Sequence, residues 1–277
     1  MSARLRALAY QTVAIVEAGA YVAPSGRTVR IDEAVRAARQ GTRLFGPDPI
    51  VVTPRPAAAS ETMTQLEVTD ESSLSAAWRL LQEVETPVGV LNFASARHPG
   101  GGFLNGARAQ EESLCQASAL YACLLQVPEY YEHHRRHRDA FYSDRVIFSP
   151  QVPVFRDDRG RLLEEPYCVS FLTAAAPNAG VIARDQPEAV AQIPAALRAR
   201  SAQVLAVAEQ AGLQRLVLGA WGCGVFQNSP REVAQAFRTH LGPNGRFAQR
   251  FARVVFAILD ARQDAPTRAA FRSVFGH

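Results

Sequence analysis

Gly100, Gly101 and Gly102 stand in a row, seven residues follow, and then Gln110, Glu111 and Glu112 open a segment with helical apolar spacing. Three consecutive glycines let backbone N–H groups approach a ligand with no side chain in the way, which suits a phosphate-bearing group. The two carboxylates beside them bring acid/base capacity. Neighbours on a helix point about 100° apart, so the pair should divide the work rather than share one proton. The bland alternative is that acids in a first turn stabilise the helix dipole by roughly 0.3–1 kcal/mol.

The elements that must position these groups are legible on both sides. Val88, Val90, Leu91 and Phe93 form a short apolar run after Pro87, as a buried strand does. Its C-terminal end delivers Asn92 and Ser95 to the place where open α/β sheets put ligands, although both residue types also cap turns. Downstream, Leu114, Ala117, Leu120, Tyr121 and Leu124 recur at spacings of three and four, predicting one helix from near Ala109. A second strand, Arg215 to Gly219, runs into GAWGCGVFQN, so that Gly219, Gly222 and Gly224 form another glycine loop ahead of a helix over Pro230 to His240. Such a loop alone is compatible with many nucleotide folds. Two of them at strand ends are much stronger evidence than one.

GGG, a spacer of seven and QEE, within LNFASARHPGGGFLNGARAQEESL, resembles the signature of the poly(ADP-ribose) glycohydrolases, in particular their short bacterial branch. The resemblance implies an α/β macrodomain-like fold, a mixed sheet flanked by helices with N-terminal accessory helices. It also implies hydrolysis of ribose–ribose O-glycosidic bonds in poly(ADP-ribose), mainly from the chain terminus, with release of ADP-ribose. Carried over by residue, it makes Glu112 the general acid/base and Glu111 the neighbour that holds the terminal ribose. Asn92, Ser95 and Gln110 join the substrate contacts, and Gly100, Gly101 and Gly102 flank that ribose and the diphosphate. Gly222, Gly224 and Val225 fall to the diphosphate, and Phe226 to the ribose, unless Phe226 is an ordinary core aromatic. Poly(ADP-ribosyl)ated proteins are then the partners. No cofactor, metal, membrane or direct DNA contact is implied, and a cytoplasmic monomer is expected. A non-catalytic reader of ADP-ribose, or a hydrolase of protein-linked mono-ADP-ribose, are the alternatives. The adjacent Glu111–Glu112 pair argues against a mere reader, because binding alone does not need it.

The remaining chain sets the frame. At 277 residues one large α/β unit is preferred, residues 1–60 being accessory helices and lead-in and residues 61–277 the catalytic core. All 30 basic residues are Arg, against 26 acids, a net charge of +4 that mildly favours anionic ligands but also fits a codon bias. Cys115, Cys123, Cys168 and Cys223 form no CxxC pair and read as reduced thiols. No apolar run approaches the ~20 residues of a membrane span.

Helices are expected over Ala3 to Ala18, Ile31 to Gln40, Glu71 to Glu83, Ile193 to Ala211 and Thr267 to Phe275. Strands are expected over Ile50 to Thr53, Arg145 to Ser149, Tyr167 to Thr173 and Val254 to Asp260, and Pro54 to Ser60 reads as a linker or surface loop. VFRDDRGRLLEEP reads as a polar hairpin-like connection turning at Gly160, and TAAAPNAG as a further candidate ligand loop or an ordinary turn. YYEHHRRHRDAFY, from Tyr130 to Tyr142, could contact a nucleotide polymer. A solvated helix or loop with partly buried tyrosines is preferred. His133, His134 and His137 have helical spacing but no acidic third ligand, which argues against a metal.

Overall fold

Strands that are apolar along their whole length must be covered on both faces, and that requirement organises this chain. The computed structural model describes residues 2–52 and 63–276. The helices are α1 (Ala3–Ala18), α2 (Asp32–Gly41), α3 (Ser73–Glu83), α4 (Gln110–Ala117), α5 (Leu120–Leu124), α6 (Pro128–Arg136), α7 (Ala179–Asp185), α8 (Ile193–Gln210), α9 (Pro230–Leu241) and α10 (Pro266–Phe275). The strands are β1 (Ala20–Val22), β2 (Thr28–Arg30), β3 (Arg43–Phe45), β4 (Gln65–Thr69), β5 (Val88–Phe93), β6 (Val146–Arg156), β7 (Leu162–Ala174), β8 (Arg215–Leu218) and β9 (Arg253–Ala257).

β1 and β2 form a small hairpin, and the other seven build a mixed sheet in the order β3-β6-β7-β5-β8-β9-β4. From β7 to β4 all neighbours are parallel, while β6 and β3 run antiparallel. The sheet is therefore the mixed, helix-flanked sheet that the macrodomain resemblance implies. Val88 and Val90 of β5 pack with Leu74, Ala77 and Leu80 of α3 and with Leu114 and Cys115 of α4. Leu91 points to the opposite core, with Leu197 and Leu205 of α8 and Phe237 of α9. Because side chains alternate along a strand, Asn92 is in phase with Val88 and Val90 and faces α4. That phase is what aims it at the acidic helix start.

Several expectations are corrected. The single helix from Ala109 to Leu124 is two, α4 and α5. Ser118 between them is extended, bridges to Val154 of β6, and has no place in a continuous helix. Its hydroxyl donates to Leu114 O at 2.7 Å and accepts from Leu120 N at 3.2 Å, closing one helix and opening the next. Ile50–Val52 form no strand, and Thr53 lies outside the described residues, as does the expected loop Pro54 to Ser60. The sheet edge is instead β3, too short to show a period, so the first 60 residues supply part of the main sheet.

The polar connection between the two middle strands is largely strand itself. Asp157 N donates to Arg161 O at the Gly160 turn, and a register shift between Ser149 and Val152, with Gln151 at φ 45°, absorbs Pro150. The last strand stops at Ala257 rather than Asp260. β1, β2 and β4 carried no signal strong enough to be expected.

Candidate active site

The parallel arrangement gathers the C-terminal ends of β5, β7 and β8 on one edge, and the loops that follow them meet there. Glu111, in the first turn of α4, is buried at 3 % exposure. Its Oε1 accepts from Asn92 Nδ2 at 3.2 Å and its Oε2 from Ser95 N at 2.7 Å. Asn92 Nδ2 also reaches Thr173 Oγ1 at 3.2 Å, tying β5 to β7, while its Oδ1 is buried without a partner among the described residues. Ser95 contributes its backbone to the carboxylate. Its hydroxyl accepts from His98 N and shapes the turn.

Burial lifts the Glu111 carboxyl to about 8, against the lowering effect of Ser95 N–H and the Asn92 amide, and the neighbouring Glu112 charge adds to the rise. The sign follows. Raised from 4.5 to about 8, the group stays protonated in the folded chain over a window where the unfolded chain has released its proton. Its contribution is complete below about 4.5 and is lost as pH rises through about 8. Glu111→Gln, which cannot ionise, should therefore gain stability relative to the parent progressively across that window, reaching roughly 3–5 kcal/mol near its upper end. Melting followed by calorimetry against pH checks this, and a parent-to-variant difference independent of pH would contradict it.

Glu112 is 8 % exposed and its Oε1 accepts from Gly102 N at 2.8 Å, while Oε2 has no partner among the described residues. The glycine loop is built around it. Gly100 and Gly101 have φ of 70° and 58°, and Gly101 N and Phe103 N close turns onto His98 O and Gly100 O. A Cβ at Gly101 would lie 2.5 Å from Glu112 Oε1 and 3.0 Å from Glu111 Oε2. Gly102 is equally tight, its Cβ falling 2.6 Å from Ala107 Cβ. At Gly101 a side chain would displace the carboxylates, so the glycine lets the loop close on both of them.

Gln110 faces away from this cavity. Its Oε1 accepts from Phe93 N at 2.9 Å, and its Nε2 donates to Leu91 O at 2.8 Å and Ser73 Oγ at 3.1 Å. Pairing of β5 with β8 ends at Val90–Val217, and beyond it the side-chain amide takes the place of a strand. Both amide hydrogens and the amide oxygen are thus engaged in fixing α4 against β5 and α3. Gln110→Glu should cost roughly 2–4 kcal/mol, because a carboxylate cannot donate to Leu91 O. Urea unfolding measures it, and a variant as stable as the parent would contradict that role.

The second loop is stitched to the first by β7. Trp221 is fully buried and donates to Ala174 O at 2.9 Å, and Asn228 Nδ2 donates to Pro177 O at 2.8 Å and Gly222 O at 3.0 Å. Gly222 has φ 71°, and a Cβ there would meet Ala176 Cβ at 2.5 Å. Gly224 and Val225 are open: nothing lies within 4 Å of a Cβ at Gly224, and Val225 is 82 % exposed. Phe226 is half-buried and packs partly on the core.

The model of the microbial-type PARG catalytic domain matches residues 9–157. The crystal structure of poly(ADP-ribose) glycohydrolase from Thermomonospora curvata is 51% identical, covers 99% of this chain and 100% of that one, and superposes with a TM-score of 0.93. The chain belongs to the microbial-type poly(ADP-ribose) glycohydrolase family. It is an enzyme of that glycosidase type. The T. curvata glycohydrolase bound to the inhibitor ADP-HPD is 50% identical over 98% of this chain and 99% of that one, with a TM-score of 0.90. The Deinococcus radiodurans glycohydrolase in complex with ADP-ribose is 44% identical, covering 89% and 98%, with a TM-score of 0.79. Among curated proteins none matches significantly.

Other residues of this glycohydrolase's site had no role from the sequence alone. α6 exposes Glu132, Arg135 and Arg136 and buries Tyr130, Tyr131 and His134, so the segment is the expected solvated helix, with its tyrosines more completely buried than expected. Tyr130 Oη accepts from Ala175 N at 3.1 Å, and the buried Arg200, paired with Asp144 at 2.9 Å, donates to Ala175 O at 2.7 Å. These bonds fix the loop after β7. The only advance signals were the small-residue run TAAAPN and an aromatic pair at a helix start. Among the described residues no helix is long and apolar enough to cross a membrane.

Proposed function

We propose that this glycohydrolase cuts the ribose–ribose bond at the end of a poly(ADP-ribose) chain and releases ADP-ribose, with Glu112 as proton donor and then general base. The observation that carries the assignment is the difference between two adjacent carboxylates. Both oxygens of Glu111 are engaged by Asn92 and Ser95, whereas Glu112 Oε2 has no partner among the described residues. Proton delivery needs an oxygen that can reach the substrate.

Glu112 donates a proton to the ribose oxygen departing from the anomeric carbon of the terminal ADP-ribose. As the C–O bond breaks, positive charge spreads over C1 and the ring oxygen of that ribose, and the bound diphosphate stabilises it. The Glu112 carboxylate then takes a proton from the water that adds to C1. One carboxyl serves both steps, while the neighbouring Glu111 holds the ribose through the lone pairs left beside its bonds to Asn92 and Ser95, together with Asn92 Oδ1, which has no partner among the described residues. Gly100, Gly101 and Gly102 border that ribose. Gly222, Gly224 and Val225 receive the diphosphate, and Phe226 packs on the ribose and turns its anomeric carbon toward Glu112. Residues 1–277 act as one monomeric unit, and four unpaired cysteines suit a reducing cytoplasm.

The test compares poly(ADP-ribose) and a mono-ADP-ribosylated protein as substrates, with products identified by mass spectrometry. Free ADP-ribose should come from the polymer, leaving the protein-linked unit in place. Equal release from the mono-modified protein would move the activity to the protein linkage. No release from either, with ADP-ribose still bound in calorimetry, would make the chain a reader.

A further inference from the structure

Tyr142 is an aromatic residue at φ 60°, one of five non-glycine residues in that region among those described. A side chain in left-handed backbone costs roughly 1–3 kcal/mol and persists only where the surroundings impose it. Here they do. Tyr142 N and Phe141 N bond Asp139, the first to its carbonyl and the second to Oδ1. Asn178 N donates to Ala140 O at 2.8 Å. On the other side, Ser143 Oγ meets His134 Nε2 at 2.8 Å, and Asp144 pairs with Arg200. His134 Nδ1 lies 2.8 Å from Tyr130 O, a group that only accepts, so Nδ1 carries the proton and Nε2 receives one from Ser143. The segment is clamped on both flanks, and the strained residue is the one between the clamps.

That conformation sets the Tyr142 ring between two others. His134, in the core, lies edge-on at 5.7 Å with an interplanar angle of 85°, and Phe226 lies at 5.8 Å and 44°. The neighbours of Phe226 give it little support, since Gly224 and Val225 are open to solvent and Gln227 is itself at φ 58°. Gly180 N holds the Phe226 carbonyl at 3.1 Å but not its ring.

We propose that Tyr142 is a positioning residue: its ring is the fixed surface against which Phe226 rests, and it sets how the terminal ribose is presented to Glu112. The proposal rests on Phe226 packing against that ribose. It adds a residue 84 positions away in the chain, which contributes through Phe226 and not by acid/base chemistry.

The experiment is steady-state hydrolysis of poly(ADP-ribose) by Tyr142→Leu, Tyr142→Phe, Tyr142→Gly, Phe226→Leu and the double variant Tyr142→Leu/Phe226→Leu, with melting temperatures alongside. Misplacing a reacting centre by about 1 Å can cost ~100-fold, so Tyr142→Leu and Tyr142→Gly should each lower kcat about 10- to 100-fold. Tyr142→Phe, which keeps the ring, should stay within about threefold. Tyr142→Gly also relieves the backbone, so it should lose activity without the loss of stability that a structural role requires. The double variant should be no worse than Phe226→Leu. Additive losses, or a Tyr142→Phe as impaired as Tyr142→Leu, would overturn the proposal while leaving the role of Phe226 intact. A silent Phe226→Leu would overturn both.

Discussion

Glu112→Gln is expected to lower kcat on poly(ADP-ribose) by about 10²- to 10⁴-fold, the usual worth of a positioned proton donor, while ADP-ribose binding changes by no more than a few fold. Glutamine keeps the shape of the side chain and an oxygen to accept from Gly102 N, so the loop need not move. What it lacks is the proton for the leaving oxygen and the base for the water. Glu111→Gln should act differently, because its oxygens are already spoken for by Asn92 and Ser95. It should weaken ribose binding and lower kcat/KM while product continues to form. A Glu112→Gln that turns over normally beside a dead Glu111→Gln would reverse the roles assigned to the pair.

Gly101→Ala should be nearly as damaging, with at least ~100-fold loss of kcat/KM, although no catalytic group is removed. The added methyl would sit 2.5 Å from Glu112 Oε1 and 3.0 Å from Glu111 Oε2, at a residue with φ 58° that a side chain adopts only under strain. Either the loop withdraws and Gly102 N leaves Glu112, or both carboxylates turn away; each disrupts the proton donor. Gly46→Ala is the natural control, since nothing lies within 4 Å of a Cβ there, and its kinetics should match the parent. Normal activity in Gly101→Ala would mean that the loop is not what holds the acid.

The strand, loop and helix around the carboxylates were legible because each rests on a local rule. The apolar run of β5 gave the strand, three glycines gave the loop, and acids in a first turn gave the start of α4. The division of labour between Glu111 and Glu112 came from family resemblance, and the two ligand loops took their assignments the same way. What stayed hidden depends on tertiary partners. Gln110 looks like part of a substrate signature, yet its amide completes the edge of β5, which becomes visible only once the pairing with β8 is seen to stop at Val90. Ser118 lies in an unbroken helical pattern, and its bridge to Val154 decides otherwise. Tyr142 belongs to a segment whose basic residues draw attention outward, whereas its ring is turned to Phe226. No spacing rule connects two residues that far apart.

The most direct test of the account is a crystal structure of the Glu112→Gln variant with a short poly(ADP-ribose) oligomer bound. The ribose–ribose oxygen should lie within hydrogen-bond reach, about 2.6–3.2 Å, of the side chain at position 112. The terminal diphosphate should lie between residues 100–102 and 222–226, with the Phe226 ring against the ribose. A linkage oxygen held by Glu111 instead, or a terminal unit bound outside the two loops, would contradict the assignment of Glu112 as the proton donor.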